Sequence, residues 1–170
     1  MAALLLTGGS SRRMGRAKGS LPHVATLASL LEAVAPPAWE VGPGFTSLPV
    51  VTEADPGEGP LAAVAAALPA LGGAGALVVA CDLPLLDEPT LRWLASQPGT
   101  AIPVADGRPQ PLCARWSAGD LGRAPALVAL GRRAMAALYH GGIVWLDVDD
   151  PRPFADVDTP SDLERLGLVL

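Results

Sequence analysis

Near the start of the chain an apolar run stops at a glycine pair, Leu4-Leu5-Leu6-Thr7-Gly8-Gly9. Hydroxyls, arginines, another glycine and a lysine follow at once, in Ser10-Ser11-Arg12-Arg13-Met14-Gly15-Arg16-Ala17-Lys18. Ala2–Leu6 reads as a buried strand, and a buried strand that opens into such a loop reads as a device for holding polyphosphate. Glycine lets backbone approach an anion with no Cβ in the way. Exposed N–H groups, arginine forks and a lysine point charge then bind phosphate oxygens.

The loop matches neither common phosphate fingerprint. A Walker loop has four residues between its first glycine and Gly-Lys-Ser/Thr, whereas five separate Gly9 from Gly15 and Lys18 comes three later. The dinucleotide pattern G-x-G-x-x-G fails because Gly8 and Gly9 are adjacent. A plain surface turn rich in Gly, Ser and Arg accounts for any one of these features but not for their density.

Further along, His23–Val34 places Val24, Leu27, Leu30, Leu31 and Val34 on one helix face, and Pro36-Pro37 ends it. Trp39–Val41 and Pro49–Thr52 are short strand candidates. Glu53–Pro60 is a polar loop. Pro60 opens a helix over Leu61–Leu71, and Ala76–Cys81 has strong β character. Asp87 caps a helix to about Ser96. Strands are expected at Thr100–Val104, Gln110–Trp116 and Ile143–Val148. Asp120–Leu138 is helical in pattern, with breaks near Pro125 and Gly131, and Thr159 caps a closing helix over Pro160–Leu168. Alternating strands and helices indicate an α/β fold, a Rossmann-like three-layer sandwich. Its sheet is mostly parallel with helices on both faces, as a single domain spanning 1–170. Ligands collect at the carboxyl ends of such strands, which gathers the loop after Leu6, the loop after Cys81 and the turn after Val51.

Composition narrows the function classes. A net charge of −5 argues against general attraction to nucleic acid. Four basic residues fall between Arg12 and Lys18, a local patch suited to a small anionic ligand. The two cysteines, Cys81 and Cys113, form no zinc or disulfide pattern and read as small buried hydrophobes. Leu61–Cys81 is 21 uncharged residues, long enough to cross a membrane. Pro69, Gly72, Gly73 and Gly75 divide it into a helix, a turn and a buried strand. No secretory signal is visible, so a cytoplasmic protein is expected, without membrane or nucleic-acid partners.

Asp82 follows the strand directly in Ala80-Cys81-Asp82-Leu83-Pro84. A carboxylate there, facing a phosphate loop, is placed to hold Mg²⁺, which takes one or two protein carboxylates together with phosphate oxygens and water. An isolated Asp-x-Pro would otherwise read as a turn or cap. His23 and His140 read as isolated surface or core histidines, with no Ser/His/Asp arrangement in view.

The order L-x-G-G-x-S-x-R-M-G-x-x-K, filled by Leu6, Gly8, Gly9, Ser11, Arg13, Met14, Gly15 and Lys18, resembles the signature of the molybdenum cofactor guanylyltransferases. Cys81-Asp82-Leu83-Pro84 and Asp156-Val157-Asp158-Thr159-Pro160-Ser161-Asp162-Leu163 resemble later segments of that family. The resemblance implies the fold of the nucleotide-diphospho-sugar transferases and transfer of GMP from GTP to molybdopterin, with release of pyrophosphate. It implies Mg²⁺ on Asp82 and neutralisation of phosphate charge by Arg13 and Lys18. Nucleotide contacts are implied from Leu6, Thr7, Gly8, Gly9, Lys18, Asp55 and Asp82, with Asp55 near the base or ribose. Asp156 or Asp158 is implied on the acceptor side, and Gln110 near the acceptor pocket. As local chemistry, Asp55 before Pro56 also reads as a turn starter, and Thr159 with Asp162 as nearly a capping box. The implied partners are GTP, the molybdopterin cofactor, and a molybdoenzyme or cofactor-delivery protein.

Two departures stand out. The segment after Lys18 is short, and Val41-Gly42-Pro43-Gly44 lacks the Asn or Arg often found after the family's second strand. Two other readings stay open: a sister enzyme using CTP on the same cofactor, and a nucleotide-binding domain without turnover. Gly8-Gly9 and Leu83 look more like the guanylyl branch. Membrane association rests only on the uncharged run.

Overall fold

The computed structural model describes residues 1–8, 17–52 and 57–168. Chain order begins β1 (Ala2–Leu6), α1 (Pro22–Val34), β2 (Ala38–Val41), β3 (Val50–Val51), α2 (Pro60–Leu71), β4 (Ala76–Ala80) and α3 (Glu88–Ser96). There follow β5 (Ala101–Ala105), β6 (Arg108–Pro109), β7 (Cys113–Trp116), α4 (Ala118–Leu121), α5 (Ala124–Ala129), β8 (Val144–Asp147) and α6 (Pro160–Arg165). Short 3₁₀ turns cover Lys18–Ser20, Met135–Leu138 and Arg152–Phe154.

The strands form one sheet in the order β3-β2-β1-β4-β7-β5-β6, with β8 beside β5. β1, β2, β3 and β4 run parallel to one another, as does β8 to β5. β7 is antiparallel to both β4 and β5, so β5 again points the way β4 does. The sheet is therefore mostly parallel, as expected.

β1 and β4 are buried on both faces, which is why they read as unbroken apolar runs rather than alternating ones. Their side chains separate by parity. Ala3, Leu5, Leu77 and Val79 face a core closed by Val24, Leu27 and Leu31 of α1, Leu91 and Leu94 of α3, and Leu163 of α6. Ala2, Leu4, Leu6, Ala76 and Val78 face the other core, with Leu61, Val64 and Leu71 of α2 and Leu121 of α4. Three layers result, helices over both faces of the sheet.

Several boundaries differ from expectation for local reasons. The strand expected over Gln110–Trp116 begins only at Cys113. The residues before it make a hairpin that the sequence reading did not foresee: Asp106 and Gly107 both have positive φ (49° and 72°), and β6 turns back on β5. The closing helix stops at Arg165 rather than Leu168. Gly167 (φ 71°) donates to the Glu164 carbonyl and Leu168 to that of Leu163, a Schellman ending. The pattern over Asp120–Leu138 resolves into α4, α5 and a 3₁₀ turn, with α5 opening around Pro125 and Gly131 left-handed after it. The uncharged run becomes α2, a glycine turn and β4. Among the described residues no helix is long and apolar enough to cross a membrane.

Candidate active site

Sheet order fixes where a ligand can sit. From β1 the chain builds outward to β2 and β3 on one side, then returns to place β4 on the other. The crevice outside the carboxyl ends of β1 and β4 is thus a topological switch point. Leu6 is level with Ala80, so Thr7-Gly8 and Cys81-Asp82 leave the sheet side by side. The Cys81 N–H donates to the Leu6 carbonyl (3.1 Å) and holds them together.

Lys18 stands over this crevice. Its Nζ lies 3.1 Å from Asp82 Oδ2 and 2.5 Å from Asp158 Oδ1. The Lys18 side chain is 16% exposed, against 25% for Asp82 and 37% for Asp158. Burial alone would lower the lysine's pKa. The hydrogen bonds and negative charges of Asp158 and Asp82 outweigh it and hold the ammonium above its ordinary value. Residues 64 and 140 positions away in sequence thus converge on one cation.

Asp158 reaches Lys18 because its segment is fixed at two points. The Val157 N–H donates to the Asp82 carbonyl (2.9 Å), and the Val157 side chain is fully buried. On the other side Thr159 and Asp162 complete a capping box on α6. Asp162 accepts from the Thr159 hydroxyl and from the backbone N–H groups of Asp158 and Thr159, which lower its pKa to about 2. Capping by Thr159 and pairing by Asp158 are therefore compatible roles of one turn. Asp156 falls on the other side of Val157, is exposed, and is not brought to Lys18.

His23 is not the isolated residue that the sequence suggested. Its Nε2 donates to the Cys81 carbonyl (2.8 Å), one residue before Asp82. Burial lowers its pKa more than that carbonyl and Asp82 raise it. His140 is paired as well, but elsewhere. Its Nε2 donates to Asp120 Oδ1 (2.7 Å), and Asp120 also accepts from the hydroxyls of Thr100 and Ser117. This network ties the start of β5 to the end of β7, at the amino edge of the parallel strands. Gln110 lies at the foot of the β5–β6 hairpin on the carboxyl edge, its N–H donating to the Pro103 carbonyl (2.8 Å). Cys81 and Cys113 are buried, and burial raises both thiols, Cys81 to about 12.

Of the nucleotide contacts read from the sequence, Leu6, Thr7, Gly8, Lys18 and Asp82 meet at this crevice. Gly9, Arg13 and Asp55 lie outside the described residues, as do Ser11, Met14 and Gly15. The sequence reading also missed Arg133, whose carbonyl accepts from the Leu61 N–H (3.0 Å) at the start of α2 and whose guanidinium pairs with Glu58. No group of three metal-ligating side chains occurs among the described residues. Two carboxylates that share one ammonium, with Asp82 partly open to solvent, are hard oxygen donors. They fit a hard divalent cation whose remaining ligands are phosphate oxygens and water.

The profile of the MobA-like NTP transferase domain matches residues 3–144. The chain belongs to the MobA-like NTP transferase family. This member is a nucleotidyltransferase. It is 36% identical to the molybdenum cofactor guanylyltransferase of Rhodobacter capsulatus, over 97% of this chain and 94% of that one. It is 33% identical to a probable molybdenum cofactor guanylyltransferase of Mycolicibacterium paratuberculosis, over 98% and 95% of the two chains. Among solved structures, the molybdopterin-guanine dinucleotide biosynthesis protein A of Archaeoglobus fulgidus superposes with a TM-score of 0.76 at 22% identity, covering 97% of this chain and 96% of that one. A nucleotidyl transferase from Methanothermobacter thermautotroptrophicus gives 0.72 at 20% identity, covering 97% and 94%. These likenesses establish the MobA-like fold.

Proposed function

We propose that this MobA-like nucleotidyltransferase moves GMP from GTP onto the terminal phosphate of molybdopterin cofactor and releases pyrophosphate. One observation carries the assignment of residues: Lys18 is held between Asp82 and Asp158 at the switch point of the sheet. The names of the relatives above support the substrates. Nucleotidyl transfer needs positioning and cations on developing charge rather than covalent help from protein.

In this reading Lys18 exchanges its carboxylate partners for the phosphates of the nucleotide, and Arg13 neutralises the departing pyrophosphate. Gly8 and Gly9 offer backbone N–H groups, and Leu6 and Thr7 line the approach. Asp55 accepts hydrogen bonds from base or ribose. Asp82 would hold Mg²⁺, which when bound would supply Lewis-acid stabilisation of charge developing in the transfer. Asp158 faces the acceptor or a second cation, with Asp156 further out. The terminal phosphate of the acceptor is already ionised, so no side chain need act as its base. The protein works in the cytoplasm as one catalytic domain over 1–170, handing cofactor to a molybdoenzyme or delivery protein.

Calorimetric titration with GTP, CTP and ATP, with and without Mg²⁺, followed by a pyrophosphate-release assay with molybdopterin, tests this. Magnesium-dependent preference for GTP and release of pyrophosphate are expected. Preference for CTP would move the enzyme to the cytidylyl reaction, and binding without turnover would leave a nucleotide-binding domain.

A further inference from the structure

Glu40 is a carboxylate in β2, fully buried with 0% of its surface exposed. A charge so placed is costly unless hydrogen-bonded. Five groups donate to it. Oε1 accepts from the Thr7 hydroxyl (2.6 Å) and the Gly44 N–H (2.9 Å). Oε2 accepts from the Thr46 N–H and the Thr46 hydroxyl, both at 2.8 Å. The Phe45 N–H is shared between the two oxygens, at 2.8 and 3.0 Å. The Thr46 hydroxyl in turn accepts from the Leu48 N–H (3.2 Å). Glu40 therefore folds the loop 42–48 around itself, much as an ion organises a binding loop.

That loop touches the candidate active site at two places. Gly42 passes so close to the first that a Cβ there would stand 2.3 Å from Thr7 Oγ1 and 2.8 Å from Gly8 N. At the second, the Phe45 ring lies on Gly19, where an added Cβ would be 2.2 Å from the ring. Gly19 is buried beneath it, next to Lys18. One loop thus grips both Thr7-Gly8 and Lys18-Gly19, and no hydrogen bond among the described residues joins Glu40 to Lys18 directly.

We infer that Glu40 is the positioning residue that sets the distance between the Gly8 backbone and the Lys18 ammonium, through the loop 42–48 and the Phe45–Gly19 contact. Its consequence for binding rests on the nucleotide reading above, since those are the groups offered to phosphate. A loop that lacks the polar side chains expected after the second strand is then not empty of purpose. It acts through backbone and one aromatic ring rather than through direct contacts.

The test uses the intact protein with Glu40→Gln, Phe45→Ala and Lys18→Ala. Glutamine preserves size but turns an NH₂ group toward donors that need an acceptor. Phenylalanine 45 is 38% exposed, so its removal leaves both cores and the Glu40 network in place. Amide exchange is read by NMR at Ser20 and Leu21, which donate to the Ala17 and Lys18 carbonyls and have no bond to Glu40. Both Glu40→Gln and Phe45→Ala should accelerate those two amides at least tenfold, and each should weaken GTP binding by a similar factor at a temperature where the variant is fully folded. Unchanged exchange at Ser20 and Leu21 in Phe45→Ala overturns the inference, as does Glu40→Gln with a lowered melting temperature and parental GTP affinity. Lys18→Ala separates the two claims. If the parent fails to bind GTP, or Lys18→Ala binds it equally well, the nucleotide reading falls while the exchange data still decide the role of Glu40.

Discussion

Among the described residues Lys18 pairs with two carboxylates, those of Asp82 and Asp158. Under the proposed function, the phosphates of the nucleotide would take the place of these carboxylates. Lys18→Ala should weaken nucleotide binding and slow transfer together, lowering kcat/KM by about a hundredfold, the scale typical of losing one preorganised charge-stabilising group. A steady-state assay with varied nucleotide measures it. Asp82→Ala should abolish magnesium-dependent turnover and shift stability by less than about 0.5 kcal/mol, because its side chain is partly exposed and adds little to either core. Retained turnover with magnesium would remove Asp82 from the metal site. Calorimetry on the same variant distinguishes lost metal binding from lost nucleotide binding.

At the scale of elements, the turn before α6 links stability to the site. Thr159→Ala removes the side-chain half of the capping box and should cost about 1 kcal/mol, read as a lower midpoint in urea. Because the same turn presents Asp158, activity should fall with it. This part of the design was legible in the sequence. Thr159-x-x-Asp162 marks a helix start by its chemistry alone, as Asp87 does for α3, and both cap as expected. β1 and β4 were legible because burial on both faces leaves an uninterrupted apolar run, and chain order then put Thr7 and Asp82 at neighbouring strand ends. Glu40 was not legible. A glutamate within Ala38-Trp39-Glu40-Val41 looks like a solvent-facing position of a short strand. The donors that make it tolerable come from Thr7 and from a loop, and no periodicity reports them. The pairing of His23 with the Cys81 carbonyl was hidden for the same reason, since backbone acceptors leave no trace in a sequence. The insertion of β7 between β4 and β5 depends on which strand edge is open after the hairpin, a property of the assembled sheet.

For the whole molecule, two polar networks brace opposite edges of the sheet, Glu40 at the carboxyl edge and Asp120 at the amino edge. For each, burial would raise the carboxyl pKa, and the hydrogen bonds it accepts, with His140 adding its charge for Asp120, bring it below its ordinary value. Groups lowered by folding stabilise above their unfolded pKa, near 4.5 for Glu40 and 3.8 for Asp120, and lose that contribution as pH falls through the folded value. His23 acts in the same direction earlier. Held below 6.5 in the fold, it lets the unfolded chain take up a proton first, so stability declines as pH drops past that point. Lys18 is raised, so its contribution is complete below 10.5 and fades as pH rises through the folded value. Thermal melting followed from pH 3 to 11 should therefore show a plateau above neutrality that ends beyond 10.5, a shallow decline as pH falls past 6.5 and a steeper one below about 4.5. His23→Gln should remove the shallow phase. Asp120→Ala should lower stability by about 2 kcal/mol by stranding its donors, yet leave nucleotide affinity at the parental value. A change in affinity would mean that the amino-edge network communicates with the crevice.

The bond from Val157 to the Asp82 carbonyl has a consequence in time. During synthesis, Lys18 and Asp82 emerge early, and every strand of the sheet has emerged by Asp147. Asp158 comes only afterwards. Domains fold as the chain is made, so a growing chain can assemble its sheet before Asp158 is available to pair with Lys18. Asp158 arrives when the segment carrying Val157 docks on the finished strand end. Maturation of the crevice is thereby tied to completion of the sheet beneath it, and a chain halted at residue 150 would carry every strand but lack Asp158 and the Phe154, Val157 and Leu163 side chains that close one core.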